Sequence, residues 1–423
     1  MKDILITNVR LMDPASNRDE ITDIYISDGK IANIGEHLAA TLTIDGTGLI
    51  AAPGLVDMRV TTGEPGQEHR ETIMSAAAAA MAGGITSMVV MPDTNPVIDD
   101  ISLIHFIERQ GAEAPVNIHA AGAITKGLDG TSLTEIGLMS DAGAVMFSNG
   151  DTPITDAQIM RRILSYSAAF NALIAHRPVE PSLAAGGVMH EGDLSARLGL
   201  TGIPSASERI MVDRDIALAE LTGGRLLIDL ISSKDAVDVI RTAKSRDLDL
   251  ACSVSFNNLC LNSLDIGDYR SFAKLDPPLR EETDRQALID AVNDGTIDVI
   301  VSAHNPQGAG QKRLPFAEAA AGAVGLEVML SAALTLTHDD GLDLMALLRA
   351  MTITPAQMLG INAGQIAEGA TADLILIDPN RPWFVDNQAL VSKSKNTPFD
   401  RRRLTGRAVK TIIDGEIVFD LDA

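Results

Sequence analysis

An α/β fold, a (β/α)₈ barrel with a small β-sandwich formed by both termini, is what this sequence predicts, on three observations. Both ends are strand-like and rich in turns, whereas the long middle alternates short apolar runs with helix-like stretches. Repeated βα units with wholly apolar strands imply a parallel sheet covered outside by helices, and eight units close a barrel. The third observation is size: 423 residues, 46% of them hydrophobic, suit one large domain plus a smaller one.

The elements follow in order. Ile4, Ile6 and Asn8 alternate before Asp13-Pro14, and Ile24 and Ile26 alternate before the turn Ser27-Asp28-Gly29, with Ile31 to Ile34 resuming. The C-terminal end repeats this character in Ala372 to Asp378 and Val409 to Ile413, then an Asp414-Gly415 hairpin turn before Ile417. These ends, 1–52 and 361–423, form the expected sandwich around a barrel of 53–360. Within the barrel, Ser87 to Met91, Val145 to Phe147, Leu173 to Ala175, Arg225 to Ile228 and Ile297 to Val301 read as strands. Ser75 to Ala82, Asp156 to Phe170 and Ala236 to Arg246 read as helices, and the apolar stretch Ala319 to Thr337 reads as a buried helix despite Glu327.

Composition narrows the partners. With 34 basic and 57 acidic residues the net charge is −23, a field that repels phosphate backbones and anionic lipid surfaces, so neither nucleic acid nor membrane is expected. The one dense basic stretch, Arg401-Arg402-Arg403 with Arg407 and Lys410, reads as a solvated or protein-facing run. Cys252 and Cys260 read as small buried hydrophobes, and two cysteines in this length fit a reducing cytoplasm. The N-terminus lacks the apolar core and small-residue cleavage site of a signal peptide. Phosphate-loop, His-Glu-x-x-His, Cys-x-x-Cys and Gly-x-Ser-x-Gly patterns are all missing.

The motif that carries information is Pro53 to Gly66, PGLVDMRVTTGEPG. It resembles the first barrel strand of a dihydroorotase, where Asp-x-His-x-His-x-Arg precedes Glu-Pro-Gly. Gly83 to Thr86, Met91 to Pro96, Thr125 to Leu128, Met189 to Gly192, Leu198 to Leu200, Asp276 to Arg280, Asn293 to Asp298 and Asn396 to Phe399 are similar to other signatures of that family. The resemblance covers nearly the whole chain.

A dihydroorotase needs a divalent-metal centre to activate hydroxide and polarise the amide, and an arginine to clamp the substrate carboxylate. Carried over position by position, the resemblance implies that this chain has lost most of that set. Arg59 and Thr61 stand for the paired histidines. Asn149 and Gly150 stand for an Asp-Asp, with Asp151 one residue further on. His176 is retained, whereas Leu230 and Ala303 occupy the last two ligand slots. Among the substrate slots Gly63 replaces the arginine, Asp93 and Asp276 replace asparagines, Gln307 replaces a histidine, and Phe256-Asn257-Asn258 replaces Pro-His-His. Asp93 and Asp276 would repel an anionic substrate.

His176 and His304 read as hydrogen-bonded core histidines, Asp57 as an organiser of the barrel's polar end, and His69, Lys126, Asp151 and Lys312 as solvated loop residues. Arg59 is expected to neutralise Asp93, Asp151 or Asp276. No cofactor is therefore expected, zinc entering only if chemistry persists. The resemblance further implies a catalytically inactive dihydroorotase homologue acting as a non-catalytic partner of the aspartate transcarbamoylase catalytic chain, itself oligomeric. The alternatives are a divergent amidohydrolase with a rewired site and a metabolite-binding module.

Overall fold

In the computed structural model residues 3–35, 39–246 and 248–423 are described; Met1 and Lys2 of the N-terminal segment lie outside them. Eight parallel strands form the central sheet: β1 (Leu55–Val60), β2 (Ile85–Val90), β3 (Asn117–Ala123), β4 (Ala144–Ser148), β5 (Ile174–His176), β6 (Leu226–Ile231), β7 (Leu250–Ser255) and β8 (Val299–Val301). Each pairs with its sequence neighbour. Past the ends of β8 and β1, His304 bridges Val60 in parallel and accepts the Thr61 N–H at 2.9 Å, which brings the two edges together. Six consecutive residues of β1, β2 and β6 are buried, as strands covered on both faces require.

Helices start where the sequence supplies caps. Asp156 accepts from the N–H groups of Gln158 and Ile159 ahead of Ala157–Ala168, and Ser233 accepts from Ala236 ahead of Lys234–Lys244. The terminal sheet joins both chain ends: Leu374–Ile377 pairs antiparallel with Ile50–Pro53, which is in turn parallel to the N-terminal strand Ile4–Asp13. Ile4, Ile6, Val9, Ile24, Ile26, Leu374, Leu376 and Ile412 make its own core, separate from the barrel interior.

Three expectations need correction. The helix anticipated from Ala319 begins only at Met329 and ends at Asp339. Before it the chain crosses the barrel mouth in irregular form, because Gly325 lies too close to Ser302 O and Phe256 for a Cβ, and Glu327 accepts the N–H groups of Val391 and Ser392. Lys312 is not solvated but buried, with Nζ donating to Ser271 O and Lys274 O, and burial pushes it down to about 7. Cys260 is only half-buried, although Cys252 is fully so. Within the basic run Arg402 pairs with Asp265, Arg407 stacks 4.2 Å from the Trp383 ring and Lys410 pairs with Asp420.

Candidate functional site at the barrel mouth

The C-terminal ends of the strands carry the residues singled out in the sequence. Arg59, near the end of β1, is buried and points across the mouth. Its guanidinium pairs with Asp229 of β6 through Nη1, and through Nη2 with Asp151 at 2.5 Å. Burial alone would lower the Arg59 pKa, but Asp229 and Asp151, with Asp93 and Asp276 behind them, raise it above its usual value.

Of the three carboxylates expected as alternatives, Asp151 is the one paired. Asp276 pairs with Arg177 at 2.7 Å, and Asp93, among the described residues, receives only long contacts of 3.4 Å from the Thr61 hydroxyl. Asp229 was not foreseen. Its signal was present, since it is a charged residue inside the otherwise apolar run Leu226–Ile231.

The residues at the other positions singled out by the resemblance make bonds within the scaffold. Asn149 accepts the Thr125 N–H at 3.0 Å and donates to the Thr125 hydroxyl at 2.7 Å, clipping β4 to the loop after β3. Gly150 takes φ +59°, a left-handed geometry that favours glycine. His176 has both ring nitrogens engaged: Nδ1 lies 2.6 Å from Asp215 Oδ2 and Nε2 accepts the Ile154 N–H at 2.8 Å. With a backbone donor on Nε2, the proton sits on Nδ1, and neither nitrogen faces the mouth as a free base. Asp215, held also by Arg214, was missed because it lies 39 residues away on a helix.

Leu230 and Ala303 keep a conspicuous backbone. Both have positive φ, 56° and 47°, which for non-glycine residues stores about 1–3 kcal/mol of strain each. The Leu230 N–H donates to Ser253 Oγ, so this strained, irregular stretch of β6 is fastened from β7. The geometry aims these positions at the mouth, yet a leucine and an alanine offer no lone pair.

The residues at the positions where the resemblance implies substrate contacts are likewise engaged within the protein. A Cβ on Gly63, at φ +88°, would lie 2.8 Å from Gln67 O, so an arginine there would force the loop open. Gln307 bonds Asn305 and Asn396, and Asn258 donates to Pro278 O. Asn257 donates to Ser255 Oγ. His304 accepts from the Gly325 N–H on Nδ1, and its Nε2 lies 3.7 Å from Glu71. Asp57 accepts the N–H groups of Arg59 and Ser302, and burial pushes it up to about 6. The cavity left between these groups is about 80 Å³, against roughly 300–1,000 Å³ for pockets that enclose a small-molecule ligand.

A nearly closed barrel with a polar mouth on its C-terminal face, and one separate sheet rather than the expected sandwich built from both termini, define an amidohydrolase-type architecture. Residues 48–236 match the family described as dihydro-orotase-like, and residues 318–419 match the amidohydrolase family. A dihydroorotase of Geotalea daltonii is 39% identical over 99% of this chain and 100% of its own length. Another, of Anaeromyxobacter dehalogenans, is 40% identical over 100% of this chain and 99% of its own. The L-hydantoinase (dihydropyrimidinase) from Arthrobacter aurescens superposes with a TM-score of 0.89 at 26% identity, covering 99% of this chain and 96% of that one. This chain belongs to the dihydroorotase family.

Membership corrects one expectation. Amidohydrolases of the dihydroorotase and hydantoinase type typically bind zinc, so the expectation that no cofactor is involved does not stand, and zinc is the metal this family implies. The residues at the mouth do not fit it. Among the described residues no group of three or more His, Cys, Asp or Glu is placed to hold a metal ion. Arg59 puts a fixed positive charge between the two carboxylates nearest the slots, and His176 is turned to other partners. This arrangement of side chains therefore supports no step routed through a metal. Among the described residues, no helix is long and apolar enough to cross a membrane.

Proposed function

We propose that this chain is a catalytically inactive member of the dihydroorotase family that acts as a non-catalytic scaffold for the aspartate transcarbamoylase catalytic chain in pyrimidine biosynthesis, in the cytoplasm and as an oligomer. The observation that carries the reading is Arg59, whose guanidinium bridges Asp151 and Asp229 where the family places histidine ligands. Loss of ligands at Thr61, Asn149, Leu230 and Ala303 accompanies it, while turns, caps and packing persist. That pattern supports a role needing a stable surface rather than a working centre.

A scaffold stabilises its partner by mass action, about 2.7 kcal/mol at 100 times its dissociation constant. The net charge of −23 favours encounter with a partner that presents basic patches. Co-expression with the cognate transferase tests the reading. One comigrating complex, with a transferase more stable than when alone, is expected; a transferase that runs separately with unchanged stability refutes it.

A second reading, a divergent cyclic-amide hydrolase, is favoured by full-length kinship to proteins named dihydroorotase. Turnover of dihydroorotate by the purified chain supplied with zinc would establish it over the first.

A further inference from the structure

The cavity beside Arg59 has a polarity opposite to what an anionic ring amide requires. Four carboxylates, Asp93, Asp151, Asp229 and Asp276, surround the mouth, against the guanidinium groups of Arg59 and Arg177. Arg70 is a third cation nearby, but it hydrogen-bonds Pro306 O, Asn305 and Gln67 and makes no ion pair among the described residues. Negative charge stays in excess even when it is counted.

An independent observation concerns Asn257. It lines the same cavity, is 2% exposed and donates through Nδ2 to Ser255 Oγ, yet its Oδ1 has no donor among the described residues. A buried amide oxygen without a donor is unfavourable, and it marks a place where a donor-bearing guest gains a hydrogen bond.

We propose that the barrel mouth is a binding site for a small, donor-rich organic cation carrying a primary ammonium or amidinium group. Its N–H groups are shared between Asn257 Oδ1 and the carboxylates of Asp151 and Asp276, three residues that line the cavity. Arg59 shows that the site accepts such a group, since its own guanidinium is already seated between Asp151 and Asp229. The cavity size limits the guest to a head group of a few heavy atoms. The proposal is independent of the scaffold reading, because a scaffold needs no ligand and a ligand does not require the transferase.

Thermal unfolding of the full chain tests it, titrated with methylammonium chloride and methylguanidinium chloride at millimolar concentration. Sodium chloride at matched ionic strength and sodium dihydroorotate serve as controls. A saturable rise in Tm with either organic cation, absent from both controls, is expected. Asp151→Asn and Asn257→Leu should each weaken the cation's apparent affinity tenfold or more, while Asp420→Asn, on the distant terminal sheet, leaves it unchanged. Asp151 is 41% exposed, so its variant keeps the test valid if Asn257→Leu does not fold. An equal rise with sodium chloride, an effect untouched by Asp151→Asn, or saturable binding of dihydroorotate instead would overturn the proposal.

Discussion

Replacing Arg59 by methionine keeps most of the side-chain volume and removes the charge, which isolates what the guanidinium does. Its two partners differ in burial. The side chains of Arg59 and Asp229 are 8% and 5% exposed, whereas Asp151 is 41% exposed. An exposed ion pair contributes about 0–1 kcal/mol, so nearly all the effect comes from leaving Asp229 buried without a cation, about 3–5 kcal/mol. Asp229 would keep only the Ser253 hydroxyl at 2.8 Å. Arg59→Met is therefore expected to lose about 3–5 kcal/mol in urea denaturation, Asp151→Asn about 1 kcal/mol or less, and the double variant Arg59→Met/Asp229→Asn clearly less than the sum of its singles. The coupling in that cycle should be about 2 kcal/mol or more. If Arg59→Met unfolds within 1 kcal/mol of the parent, or if the cycle is additive, the guanidinium is not the counter-charge that the geometry implies.

Other residues carry three more predictions. Restoring Arg59→His and Thr61→His together should give no turnover of dihydroorotate with zinc supplied, because Leu230 and Ala303 offer no ligand and His176 Nε2 holds the Ile154 N–H; measurable turnover would show that the remaining slots suffice. Ala303→Gly should raise stability by up to about 1 kcal/mol, opposite in sign to the usual Ala→Gly effect, since φ is 47° there; a loss of stability in denaturant titration contradicts it. Lys312 sets a pH dependence. Burial lowers it to about 7 in the folded chain, so between pH 7 and about 10 the unfolded chain binds more protons and stability rises with pH; Lys312→Met should flatten that slope, and an identical slope in both proteins would refute the assignment.

How much of the site was legible depended on the kind of signal. Slot residues could be named because they sit at fixed places in motifs, so Arg59, Thr61, Asn149, Leu230 and Ala303 were all available to inspection. Their new partners were not. Asn149 engages Thr125, 24 residues earlier, His176 engages Asp215 on an outer helix, and Arg59 reaches Asp229, 170 residues away. Lys312 was misjudged for the same reason: a lysine in an irregular stretch reads as solvated until the loop that covers it is placed.

By itself the sequence determined the barrel and the strand-rich character of both ends, because apolar runs at strand spacing are local patterns that encode covered parallel strands. It also placed Leu230 and Ala303 at positions where the resemblance implies metal ligands, and neither side chain offers a lone pair in any conformation. Tertiary structure alone decided which carboxylates Arg59 neutralises, that His176 serves Asp215 and a backbone N–H, and that Asn257 is left with an unused acceptor beside an 80 Å³ cavity. The physical reason is that charge pairing and burial are set by distances across the mouth, between strands far apart in the chain, and chain order carries those distances only through the completed fold.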